Sequence, residues 1–307
     1  MMSAYSESIV KSFTEGDNIR DAGLTTPENV DRYDDLQYGE DRKWQLLDVY
    51  RPKEGTVLLP VIISVHGGGW VYGDKERYQY YCMSLAQRGF AVINFTYRLA
   101  PAHKFPASLE DTNLVAHWIM KNAEMYGLDT THIYAVGDSA GAHILGLYAA
   151  ILTNLSYAAK YDFKPPVDFM LKAVALNCGL YHVAKNDAED RQTMRLMQEF
   201  LPEKGTDAEL SLIHVEEHMT KEYPPVFLMT ATGDFLKKQA PEMESRLLEL
   251  DIPHEFRYFS QQQATEIRRG ENKGKERPLG HVFHVNMRLR EAATCNDEEC
   301  DFFRRFS

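Results

Sequence analysis

Two short stretches of this 307-residue chain carry residue types that could perform acyl transfer. Gly137, Asp138, Ser139, Ala140 and Gly141 spell GxSxG between an apolar run at 133–136 and a helical run at 142–150. A serine on so tight a strand-to-helix turn projects its hydroxyl above a sheet, and the flanking glycines are needed because a Cβ there would clash. Ser139 is the candidate nucleophile. His66 to Trp70 reads HGGGW directly after the apolar residues 61–65. Three consecutive glycines cost backbone entropy and are useful where bare amides must point at a ligand. Acyl transfer creates a tetrahedral oxyanion, and one preorganised donor typically stabilises it by about 3 kcal/mol. The expected donors are the amides of Gly68, Gly69 and Ala140. A phosphate-binding loop would need a lysine after the glycines, and none follows in that pattern.

A serine nucleophile of this kind is served by an acid and then a histidine further along the chain. Asp234 follows the apolar run 226–230 and would sit at its carboxyl end, where sites in parallel sheets form. Asp251 is its rival, but it precedes a strand and belongs to the opposite edge. Asp111, near a helix start, reads as structural. His281 comes after the last strand and can return over the same carboxyl edge, where its imidazole would shuttle the serine proton while Asp234 fixes its tautomer. His284 is the alternative, better suited to packing, and His254 begins a strand on the wrong edge.

These residues need a frame to bring them together. Short β-branched runs alternate with longer amphipathic ones: a strand at 57–65, a helix near 76–88, a strand at 91–97 and a helix near 108–126. Strands at 132–136, 171–176, 226–230 and 254–259 follow, with a helix from Ala140 in which Ala140, Gly141, Ala142 and Gly146 would allow close approach to the strands. An earlier strand near 44–50 is expected to open the sheet. This is the signature of an α/β fold with a mostly parallel sheet and helices on both faces. Two stretches break the rhythm, residues 1–40 and 179–222, and both are expected to lie over the sheet as a lid. In the second, Met194, Met197, Phe200 and Leu201 have the spacing of an amphipathic helix. Residues 260–278 read as an exposed loop.

Composition narrows the function classes. Lysine and arginine total 34 against 45 acids, a net charge of −11 that would repel phosphate backbones and anionic lipid. Neither nucleic acid nor a membrane is an expected partner. The first fifteen residues have no positive n-region and no apolar core, so a cytoplasmic protein is expected. Cys82, Cys178, Cys295 and Cys300 lack paired spacing and read as idle thiols, although the last two share a polar tail and could oxidise.

HGGGW, the later Tyr97-Arg98-Leu99-Ala100-Pro101 and Phe105-Pro106-Ala107, and then GDSAG together resemble the bacterial hormone-sensitive-lipase-like carboxylesterases, the family IV esterases. The resemblance runs from about Leu47 onward. It implies an α/β-hydrolase core at 41–178 and 223–307 under a helical cap made from residues 1–40 and 179–222, a single domain overall. Residues 233–236 look like the family's acid loop and 280–284 like its histidine motif, except that Val282 stands where a glycine is more usual. The loop before His281 is also longer than the family's common form. The family's activity would be hydrolysis of short- to medium-chain acyl esters, acetyl esters of sugars included, through an acyl-enzyme on Ser139, without metal or organic cofactor. The expected partner is a small ester, and the expected state a monomer or homodimer.

Two other readings compete. His214, Val215, Glu216, Glu217 and His218 spell HxxEH, an inverted zinc-peptidase pattern that would make the protein a zinc hydrolase. Such a site needs a third ligand, and no neighbouring carboxylate supplies one in the sequence. Some relatives of the esterases use the same fold as a ligand-binding receptor without catalysis. Those look-alikes lose the catalytic histidine, so His281 argues against that reading.

Overall fold

The computed structural model describes residues 2–55, 58–184, 191–260 and 278–307. Eight strands form one sheet: β1 (Val30–Gln37), β2 (Leu46–Pro52), β3 (Leu59–Val65), β4 (Ala91–Phe95), β5 (Leu128–Asp138), β6 (Leu171–Asn177), β7 (Val226–Ala231) and β8 (His254–Phe259). Their order is β1-β2-β4-β3-β5-β6-β7-β8. β1 and β2 run antiparallel to their neighbours, and every pairing from β4 to β8 is parallel. The central strands are near-continuous apolar runs because helices cover both faces, as a parallel sheet requires.

One face packs against α3 (Ala107–Tyr126) and α4 (Ala140–Thr153), the other against α2 (Lys75–Ala86) and the C-terminal α10 (Arg290–Arg304). Local chemistry marks the helix ends. Asp74 caps α2 by accepting the Arg77 amide, and Gly127 closes α3 in the left-handed conformation. The remaining helices are α1 (Ala4–Asp21), α5 (Leu155–Ala158), α6 (Arg191–Phe200), α7 (Asp207–Ile213), α8 (Val215–His218) and α9 (Gln239–Glu249). Among the described residues, no helix is long and apolar enough to cross a membrane.

Three expectations change. Residues 30–37, expected in the N-terminal lid segment, are instead the edge strand β1. Its sequence VDRYDDLQ has little apolar alternation because most of its side chains face water. Gly146 does not bring α4 toward the strands; a Cβ there would lie 2.9 Å from a Val215 methyl, so it admits α8 instead. Cys295 and Cys300, placed on a polar tail, are instead buried in α10, in keeping with the idle thiols expected of them. Of the loop 260–278, residues 261–277 lie outside the described residues.

Candidate active site

β5 ends at Asp138, and Ser139 turns the chain sharply into α4 with φ 53° and ψ −119°. A non-glycine residue with positive φ stores strain that its surroundings must hold. Here the Ser139 amide donates to the Asn177 carbonyl at 3.0 Å, and the Ser139 carbonyl accepts the His143 amide at 3.2 Å. The glycines of GxSxG have a steric reason: a Cβ on Gly141 would lie 2.0 Å from the Val65 carbonyl oxygen, and one on Gly137 would lie 2.6 Å from the Gly141 oxygen. Residues 139 to 141 thus sit directly against the end of β3, where the glycine loop begins.

That loop is held from beneath. His66 is fully buried, stacked on Tyr97 with ring centroids 4.0 Å apart, and the Tyr97 hydroxyl donates to the His66 carbonyl at 2.9 Å. Burial pushes its imidazole down to about 4, so the ring is neutral at pH 7. Gly68 has φ +119°, and a Cβ on it would meet the Tyr72 carbonyl oxygen at 2.1 Å. The Trp70 indole donates to His143 Nδ1 at 3.3 Å, while His143 Nε2 donates to the Ile213 carbonyl at 2.9 Å. The loop is therefore tied through α4 to α7.

On the neighbouring turn, Asp234 follows β7 and its side chain is excluded from solvent. His281 Nδ1 donates to Asp234 Oδ1 at 2.6 Å, the Thr230 hydroxyl to Oδ2 at 2.7 Å, and the Leu236 amide to Oδ1 at 2.8 Å. Burial alone would raise this carboxyl, but the His281 imidazole and the two other donors hold it below the usual carboxylate range. A backbone bridge between Gly233 and Gly280 joins the acid turn to the histidine segment. The Phe235 ring lies 4.1 Å from the His281 ring, centroid to centroid. Val282 adopts φ 50°, which explains why a glycine is more usual at that position.

The sequence-derived candidates separate cleanly. Asp234 and His281 are in contact, and Ser139, Gly69 and Ala140 line one cavity of about 690 Å³ with Phe235. Asp251 lies before β8, at the amino edge. His284 is buried in a 3-10 turn and pushed down by burial to about 3. Asp111 serves as the acceptor for Gln45 and for the Arg98 guanidinium. His254 meets the Ile252 carbonyl.

His214 and His218 do not share a centre. The His218 ring stacks on Tyr157 at 3.8 Å, and its Nε2 donates to the Ser211 and Leu212 carbonyls, whereas His214 Nδ1 meets Glu217. The HxxEH pairing is thus broken in the fold.

Sequence reasoning missed Tyr78, Thr230 and His143. Thr230 had a visible signal, a hydroxyl at the carboxyl end of a strand four residues before the acid. Tyr78 and His143 had none, because their partners are distant in the chain.

An eight-stranded, mostly parallel sheet with a strained serine between β5 and α4 defines an α/β-hydrolase. The BD-FAE family model matches residues 47–249. The chain belongs to this family, within the bacterial hormone-sensitive-lipase-like α/β-hydrolases. It is 31 % identical over 206 residues to esterase LipC of Mycobacterium tuberculosis, covering 66 % of this chain and 47 % of LipC. The versiconal hemiacetal acetate esterase of Dothistroma septosporum is 26 % identical over 223 residues, with 69 % of this chain and 67 % of that protein covered. The chain thus spans about half of LipC and about two thirds of the second relative. In fold it is similar to esterase B of Lactobacillus rhamnosis, with TM-score 0.83, 23 % identity and 99 % and 95 % of the two chains covered.

Proposed function

We propose that this protein is a serine carboxylesterase acting on short- to medium-chain acyl esters, acetyl esters of sugars among them. The observation that carries the reading is the 2.6 Å Asp234–His281 contact on the sheet edge where Ser139 is held in its strained turn. Ser139 Oγ attacks the ester carbonyl while His281 takes its proton. Asp234 keeps the histidine proton on Nδ1, so that Nε2 is the base. The amides of Gly68, Gly69 and Ala140 stabilise the oxyanion, the imidazolium protonates the departing alkoxide, and water activated by His281 releases the acid.

The cavity supports a small-molecule ester of modest size, since α1 and α6 close over it through Ile9, Phe13 and Leu196. α1 and α6 to α8 act as the cap. No metal or organic cofactor enters this mechanism, and a monomer or homodimer suffices.

The test is a series of chromogenic esters of increasing acyl length beside acetylated sugars, with Ser139→Ala as control. The variant should lose at least ~10³-fold in turnover while keeping the wild-type circular dichroism. Near-wild-type activity in the variant would reject the nucleophile. A wild type inactive on every ester would instead favour the ligand-binding reading.

A further inference from the structure

We infer that Glu299 is a positioning residue for the proposed ester hydrolysis: through Asn177 it fixes the end of β6, which ties the Ser139 turn to the Asp234–His281 pair. The inference rests on the esterase reading and adds a residue to it.

Ser139 and His281 belong to separate turns, and proton transfer between them depends on how those turns are held. The end of β6 joins both. The Asn177 carbonyl accepts the Ser139 amide at 3.0 Å, and the next amide, that of Cys178, donates to the Met229 carbonyl of β7 at 2.7 Å. β7 leads into the Asp234 turn. Cys178 takes φ 48°, a strained value for a residue other than glycine. Its Sγ, an Asp234 carboxylate oxygen and a His281 ring nitrogen lie within 4.8 Å of one another. The dipeptide Asn177-Cys178 thus bonds the nucleophile's turn through its backbone and lies against the acid–base pair with its thiol.

Glu299, on α10, holds this dipeptide through the Asn177 side chain. Asn177 Nδ2 donates to Glu299 Oε2 at 2.6 Å, and the Tyr81 hydroxyl of α2 donates to Oε1 at 3.0 Å. Asn177 and Glu299 are fully buried. Asn177 Oδ1 has no hydrogen-bond partner, so among the described residues the bond to Glu299 is the one that orients this side chain. A carboxyl at this depth is costly even with both oxygens bonded, and a leucine would fill the space without that cost. What the carboxyl supplies and leucine lacks is the hold on Asn177.

Burial pushes the Glu299 carboxyl up to about 7, against the pull of Asn177 and Tyr81. Glutamine, neutral and of the same shape, is therefore a small change: its carbonyl accepts from Asn177 while its amide donates to the Tyr81 oxygen. Leucine breaks the bond and leaves Asn177 Nδ2 buried without an acceptor.

The experiment compares steady-state ester hydrolysis by full-length wild type, Glu299→Leu, Glu299→Gln and Tyr81→Phe, with circular dichroism as the check on folding. Glu299→Leu should lose about 10–100-fold in kcat with KM near wild type, because misplacing a reacting group by about 1 Å costs on that order. Glu299→Gln should recover most of that loss. Tyr81→Phe takes the other donor from Glu299 but leaves the Asn177 bond, so it should lower the melting temperature and keep kcat near wild type. Where Glu299→Leu does not fold, Asn177→Ala breaks the same bond from its other end and should show the same fall in kcat. Wild-type kcat in a folded Glu299→Leu or Asn177→Ala protein, a loss carried by KM alone, or an equal fall in Tyr81→Phe would overturn the inference and leave the esterase reading intact. A wild type that turns over no ester would overturn both.

Discussion

The Tyr78 hydroxyl donates to Asp138 Oδ2 at 2.7 Å while accepting the Gly67 amide at 2.9 Å, so one phenol ties the serine turn to the glycine loop. Tyr78→Phe leaves a buried amide and a buried carboxylate oxygen without this partner, a loss of about 1–3 kcal/mol. The sign of the pH effect follows from Asp138. Burial pushes its carboxyl up to about 6, with the Tyr78 hydroxyl pulling the other way. Since an unfolded aspartate titrates near 3.9, its stabilising contribution is full below that value and is lost as pH rises through about 6. Removing the phenol raises the folded value further, so the decline in Tyr78→Phe should extend above pH 6. Urea denaturation from pH 4 to 8 measures this; curves parallel to wild type would contradict the coupling.

Asp234 titrates with the opposite sign. Its folded carboxyl is held below the usual range, so the stability it contributes is present above the unfolded value and lost as pH falls through the folded one. Thr230→Val removes the hydroxyl that donates to Oδ2 at 2.7 Å in a fully buried position of similar shape. The expected cost is about 1.5–3 kcal/mol near neutrality, and acid unfolding should begin at higher pH than in wild type. Fluorescence-monitored acid titration checks it. An unchanged acid midpoint would show that the hydroxyl does not support the carboxylate.

Two glycine-to-alanine substitutions should act in opposite directions. Gly141→Ala sets a methyl 2.0 Å from the Val65 carbonyl oxygen and 2.6 Å from that of His66, both backbone atoms at the end of β3. The turn must then shift, and a loss of at least ~3 kcal/mol with collapse of activity is expected. Gly16 lies inside α1 with nothing within 4 Å of its added methyl. There alanine should stabilise by about 0.5–1 kcal/mol. Thermal melts of the two variants side by side provide the comparison, and a tolerated Gly141→Ala would refute the steric account of the motif.

What was legible in the sequence follows from where each constraint is local. Gly137, Ser139 and Gly141 are forced by clashes within a few residues and against β3, so their spacing alone marks the turn. Asp234 and His281 could be placed because each follows an apolar strand, and the carboxyl edge is common to all parallel strands. β1 was hidden because an edge strand with mostly wet side chains carries little apolar alternation. Tyr78 and Asp138 are 60 residues apart, and nothing near either announces the other. HxxEH drew attention to His214, but the ring it stacks on, His182, is 32 positions earlier, outside any motif spacing.

Leu196 of α6 bears on acyl-chain selection, because its Cδ1 lies 3.1 Å from where a Cβ on Gly69 would be, directly over the loop proposed to hold the oxyanion. That methyl group closes the cavity wall shared with Trp70 and Ala140. Leu196→Ala removes three carbons there without touching Ser139, Asp234 or His281. If the acyl chain of the substrate lies along this wall, room for one further methylene is worth about 1–3 kcal/mol in selectivity. The ratio of kcat/KM for hexanoate over acetate should then rise about tenfold or more, chiefly through faster turnover of the longer ester. Leu196→Trp should reverse the preference by filling the space. A ratio unmoved by both substitutions would place the acyl chain elsewhere, toward the α1 wall at Ile9 and Phe13, and the same ester series on Phe13→Ala would then locate it.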